Sequence, residues 1–175
     1  MTSVGLYRGC VPVCLRYLDR LRDLLDAAEA HALTHGLAPA DLLEARLAPD
    51  MLPFATQVAI AAQFTLRTCF PLAGRAVPPD AEFPATFDGL RSTIARAASL
   101  LGSLDPAQFD GSESRVLESR AGDAVVTLAA PEFLLQYALP NFFFHVTTAY
   151  AILRQRGVLV GKAQFDGFHS YPPTR

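Results

Sequence analysis

Asn141 and His145 stand four residues apart, the spacing that sets two side chains beside each other on one face of a helix. Thr148 continues the same stripe, and Tyr150 adds a phenol further along. An imidazole can ligate a metal or exchange a proton, whereas amides bind transition metals weakly and mainly orient what lies next to them. Far upstream, Gln57 shares a helical stripe with Phe54, Ala61, Phe64 and Thr68, so its amide points inward and must find hydrogen-bond partners. Gln57, Asn141, His145, Thr148 and Tyr150 are therefore the candidate ligand-binding residues, with His145 as the candidate catalytic group and the one strong metal donor. A facing His, Asn and Gln could hold a weakly bound divalent ion, a water or a polar ligand. They could equally close on one another as a hydrogen-bonded core network, the arrangement buried polar groups ordinarily take.

Other spacings carry less. His31 and His35 are also four apart, but they flank a core position at the end of a helix with no third ligand in view, which reads as a wet C-terminal face. Cys10 and Cys14 have the same spacing, yet Cys14 occupies an inward position, so two buried thiols are expected ahead of a redox pair. Arg46 beside Asp50, and Arg154, suit ion pairs better than an anion grip, because most such charges are solvated. The sequence has no glycine-rich phosphate loop, Gly-x-Ser-x-Gly, His-Glu-x-x-His or zinc-finger cysteine pattern, so the usual nucleotide, hydrolase and zincin chemistries lack local support.

These residues need helices to position them. Tyr7, Val11, Cys14, Leu18, Leu21, Leu25, Ala28 and Ala32 alternate at spacings of four and three, which predicts a long amphipathic first helix from 6 to about 34, with Pro12 in its first turns and Gly36 as its stop. A short helical piece over 41–47 and a connection ending in an Asp50 N-cap lead to a second helix from about 51 to about 70 with Thr56, Gln63 and Arg67 on its wet face. Residues 71–84, rich in proline, form a crossover connection. Thr86 caps a third helix defined by Phe87, Leu90, Ile94, Ala97, Leu101 and Leu104. Two short segments, 115–119 and 124–128, flank Ala121-Gly122-Asp123 as a β-hairpin. The last helix begins at Pro131, is apolar nearly all round, and should bend near Asn141 because Pro140 leaves the Gln136 carbonyl without an amide partner.

The expected fold is thus all-α: a four-helix bundle with a crossover connection and a short β-hairpin before the last helix, forming one domain over 1–160 with a loosely held tail over 161–175. The 175 residues are 51% hydrophobic and 18% charged with a net charge of −2, enough for one core and without a basic block for nucleic acid or an anionic membrane. No uncharged apolar run reaches the roughly 18 residues a bilayer span needs, and the odd count of three cysteines points to reduced thiols in a cytoplasmic setting.

Arg46-Leu47-Ala48-Pro49-Asp50-Met51, Gln108-Phe109-Asp110-Gly111, the run over 139–154, Gly157-Val158 and Gly161-Lys162 together resemble a bacterial family of unknown function, DUF1993. That family is similar in turn to the DinB/YfiT-like superfamily of four-helix bundles, commonly dimeric and including metalloenzymes and thiol-dependent transferases. The resemblance implies a homodimer and a metal site built from one His on the second helix and two on the fourth. In this sequence His145 matches one ligand, Asn141 stands at a second, and Gln57 stands nearest the third. With two imidazoles replaced by amides, no cofactor is firmly expected, and a divalent metal such as Zn or Ni would be weakly bound. The expected function is a non-enzymatic, dimeric small-molecule-binding or interaction module with no nucleic-acid or membrane partner. The alternative is a metal- or His145-dependent enzyme of the thiol-transferase type.

Overall fold

The computed structural model describes residues 5–169. Helix α1 (Leu6–His35) buries Cys10, Cys14, Leu18, Leu21, Leu25, Ala28 and Ala32, the face the alternation of threes and fours marks out. Pro12 lies on its exposed side, where the carbonyl of Arg8, deprived of an amide partner, can reach water. Gly36 ends α1 in the left-handed conformation (φ 64°), and its amide returns to the helix. The next helix, α2 (Pro39–Leu43), is shorter and earlier than the 41–47 piece expected, because Pro39 is preset for a first helical turn and Asp41 reaches back to the Ala38 amide at 2.8 Å.

Asp50 does not cap the following helix. Helix α3 (Phe54–Leu72) starts three residues later than expected, with Pro53 extended at its N-cap. Proline disfavours helical backbone in the residue before it, so Leu52 cannot be helical and Asp50 stays exposed in the preceding turn. Arg46 donates to the Met51 carbonyl and makes no ion pair with Asp50 among the described residues. The far end of α3 is held by Arg115, whose guanidinium donates to the Leu72 carbonyl. The chain then crosses over residues 73–86 to α4 (Phe87–Gly102), where Thr86 Oγ1 accepts from the Gly89 amide at 3.1 Å as the sequence predicts.

Helix α3 lies against the last helix on one side and α4 on another, with α1 also packed on it. Arg91 of α4 clamps α1 through Asp26 at 2.8 Å and Glu29 at 2.5 Å, and both hydrogen bonds strengthen its hold on its proton. After 3₁₀ turns at Pro106–Phe109 and Ser112–Ser114, strands β1 (Val116–Ala121) and β2 (Ala124–Ala129) form the expected antiparallel hairpin around Gly122, with Ala121 opposite Ala124.

The last long helix is a composite. Helix α5 (Ala130–Glu132) continues through a π-helical segment, Phe133–Ala138, into α6 (Leu139–Gln155). In the π segment the Leu139 amide reaches five residues back to the Leu134 carbonyl, so Pro140 is accommodated by a wider turn just before it. Residues 157–169 fold back, and the rest of the tail expected over 161–175 lies outside the described residues. Arg154 donates to the Val160 carbonyl at 2.7 Å, and α7 (Lys162–Asp166) sets Phe165 between Tyr17 and Tyr150, ring centroids 5.6 and 5.5 Å away.

One close approach fixes the crossover. A methyl group on Gly89 would lie 1.9 Å from the Pro84 carbonyl oxygen, so the loop and α4 can meet only with glycine there. Gly89→Ala should lower stability by about 1–3 kcal/mol, the ordinary cost of overpacking, as read by the midpoint of denaturant unfolding.

Candidate functional site

Gln57 sits in the first turn of α3, 1% exposed. Its Nε2 donates at 3.1 Å to the Leu52 carbonyl, the last carbonyl before Pro53. Its Oε1 lies 2.7 Å from His145 Nδ1 on the facing helix α6. The two bonds fix each other's sense. A carbonyl can only accept, so the amide nitrogen must face Leu52 and the amide oxygen must face the imidazole. That oxygen also only accepts, so Nδ1 carries a hydrogen and a neutral His145 holds its lone pair on Nε2. Burial lowers the His145 pKa below the ordinary value of 6.5, which keeps the ring neutral at pH 7.

Aromatic rings enclose this imidazole. Phe64 lies 6.2 Å away and Phe144 meets it edge-on at 5.3 Å. Phe64 also carries the Arg67 guanidinium 4.7 Å over its ring and lies 6.0 Å from Tyr137. Arg67 Nη2 donates to Ser119 Oγ at 3.2 Å and the Arg120 carbonyl at 2.5 Å, and the Tyr137 hydroxyl donates to that same carbonyl at 3.1 Å. The hairpin is thereby tied to α3 and to the π segment beside His145.

Of the candidates read from the sequence, only Gln57 and His145 are joined. Asn141 Nδ2 donates instead to the Tyr137 carbonyl of its own helix at 2.7 Å. The hydroxyl of Thr148 donates to the Phe144 carbonyl at 2.7 Å, and Tyr150 packs on Phe165 at the α7 side. Arg67 and Tyr137 are the neighbours that sequence reasoning missed. Tyr137, four residues before Asn141, is in step with the Asn141 and His145 stripe, but Arg67 reads as an ordinary wet-face cation.

A family model described as a domain of unknown function (DUF1993) matches residues 6–166. The chain belongs to the DUF1993 family. Among solved structures it is similar to a DinB family member protein from Shewanella denitrificans, 31% identical over 97% of this chain and 96% of that one, with a TM-score of 0.86. No curated protein matches. At 31% identity over nearly the whole of both chains, the match agrees with a DinB-like four-helix bundle as the fold of this DUF1993 protein.

The three residues that the sequence resemblance sets at a metal site, His145, Gln57 and Asn141, have their side chains committed elsewhere. One is an imidazole with Nδ1 committed, one is an amide oxygen already accepting that Nδ1 hydrogen, and one is an asparagine turned to its own backbone. Among the described residues no group of three or more His, Cys, Asp or Glu side chains is placed to hold a metal ion. This donor set does not fit a tightly bound transition metal. The other spacings also take structural roles. His31 and His35 stack at 4.0 Å, with His35 Nδ1 donating to the His31 carbonyl at 2.9 Å. Cys10, Cys14 and Cys69 are all free and buried, the Cys14 and Cys69 sulfurs are 3.9 Å apart, and burial pushes the Cys69 thiol up.

Gln57→Leu would leave the Leu52 carbonyl and His145 Nδ1 without partners, and should lower stability by about 1–3 kcal/mol in denaturant unfolding. The pH response has a definite sign. His145 binds a proton less readily when folded, so its contribution to stability is intact above about pH 6.5 and falls as the solution is acidified below it. His145→Gln should flatten that part of the stability profile, measured as unfolding midpoint against pH.

Proposed function

We propose that this protein is a dimeric, non-enzymatic DinB-like module that binds a polar small molecule beside His145, on a scaffold from which the metal centre has been lost. The observation that carries it is the hydrogen-bond chain from Leu52 through Gln57 to His145, which takes up the donor atoms a metal would need and leaves Nε2 as a fixed acceptor. A ligand offering a hydroxyl or N–H donor would meet that lone pair between the rings of Phe64 and Phe144. The dimer is supported by Leu135 and Phe144, large apolar side chains left exposed along the last helix. A reducing, cytoplasmic setting is supported by three thiols that stay unpaired. Among the described residues no helix is long and apolar enough to cross a membrane.

A second reading has one observation in its favour. A neutral, half-buried imidazole with Nε2 unprotonated could act as a general base or hold a single weak Zn or Ni ion in an enzyme of the thiol-transferase type. Metal analysis after expression in Ni- and Zn-supplemented medium separates the two. The binding module is expected to carry less than stoichiometric metal, and that metal content is expected to be the same in His145→Ala. A stoichiometric ion that disappears in that variant would decide for the enzyme. Light scattering should return twice the chain mass at micromolar concentration, and a strictly monomeric mass would remove the dimer from the proposal.

A further inference from the structure

On the side of α3 that faces α4, the crossover loop roofs a groove of about 560 Å³. Its middle is apolar, lined by Ile60, Phe83 and Leu90. At one end stand Gln63, Arg67 and Asp80, and the last two also border the neighbouring depression past Pro71 and Gly122. The roof is anchored rather than draped. Arg96 Nη2 donates to the Pro79 carbonyl at 2.7 Å, Gln63 Nε2 donates to Asp80 Oδ1 at 2.5 Å, and Gly89 admits Pro84 against α4. A groove whose walls are already held loses little order when it is filled.

The charges at its end are arranged unusually. Arg67 and Asp80 border the same space, yet no ion pair involving either is formed among the described residues. Each is held back by a neutral partner: Arg67 by the Arg120 carbonyl, Ser119 and the Phe64 ring, Asp80 by the Gln63 amide. Glu82 on the rim makes the groove net negative, which disfavours a simple carboxylate and favours a ligand that brings its own positive charge. We propose that this groove binds a small zwitterion of the α-amino-acid type with an apolar side chain. Its carboxylate meets Arg67, its ammonium meets Asp80, and its side chain lies along Ile60, Phe83 and Leu90. The groove shares the Phe64 ring with the His145 site, but neither Gln57 nor His145 lines it, and the proposal does not depend on the function assigned to that pair.

Ligand-observed NMR and calorimetry on the full chain test this with L-leucine, L-methionine and L-phenylalanine. The last is compared with 3-phenylpropanoate, which lacks the ammonium, and with phenethylamine, which lacks the carboxylate. At least one amino acid should bind saturably in the millimolar range or tighter. Both phenylalanine analogues, Arg67→Met and Asp80→Asn should each weaken binding by roughly tenfold or more, and by more than His145→Gln does. Because Arg67 also tethers the hairpin, circular dichroism should accompany Arg67→Met; if that variant does not fold, Asp80→Asn and the analogue series decide. Absence of saturable binding by any of the three amino acids overturns the proposal, as does equal binding of the analogues. Binding lost only in His145→Gln would move the ligand to the other site. A dimer broken by Ile60→Glu, with no amino acid bound, would show that a second copy fills the groove and would equally overturn it.

Discussion

A side-chain amide with almost no exposure to water has to answer every strong polar atom locally, and Gln57 does so across two helices. One hydrogen bond goes to the carbonyl just before the proline that starts α3, the other to the imidazole of α6. The start of α3, its register against α6 and the tautomer of His145 are consequently one linked constraint. Pro53 takes part from the outside, because by keeping Leu52 out of the helix it leaves a carbonyl free to receive the amide. A leucine at position 57 could fill the same volume but would orphan the polar atoms at both ends.

The π segment is a second consequence of fitting a proline into a buried helix. Pro140 withholds an amide, and the widened turn over Phe133–Ala138 changes which carbonyls are served within the helix. The Tyr137 carbonyl takes a hydrogen bond from the Asn141 side chain, which turns Asn141 away from Gln57 and His145. π turns inserted in α-helices are frequent near functional sites, and this one sets Tyr137 beside Phe64 and the hairpin. Of the polar trio read from the sequence, two members are joined and the third is spent on backbone.

Helices announced themselves in the sequence wherever apolar residues alternate at three and four, and so did the inward phase of Gln57 and the hairpin around Gly122. The Asp50 cap did not hold because the chemistry of Pro53 outranks the capping preference of an aspartate three residues earlier. The direction of Asn141 depends on a hydrogen-bond register that periodicity cannot express. Arg67 meets the hairpin 52 and 53 positions away, and nothing local distinguishes it from a solvated cation. Helix α7 is short and held by isolated rings on Tyr17 and Tyr150, so it has no periodic pattern to read. The Cys14 to Cys69 contact is likewise visible only once α1 and α3 are packed.

A backbone carbonyl, relayed through one amide, holds His145 in a single neutral tautomer with Nε2 as the acceptor. Nitrogen-15 NMR of the imidazole at neutral pH reads this directly. The expected spectrum has a protonated, slowly exchanging Nδ1 coupled across its bond to Gln57 and a pyridine-like shift at Nε2, with the Nδ1 signal altered in Gln57→Leu. A protonated Nε2, a ring already charged at pH 7, or a spectrum indifferent to Gln57→Leu would contradict it.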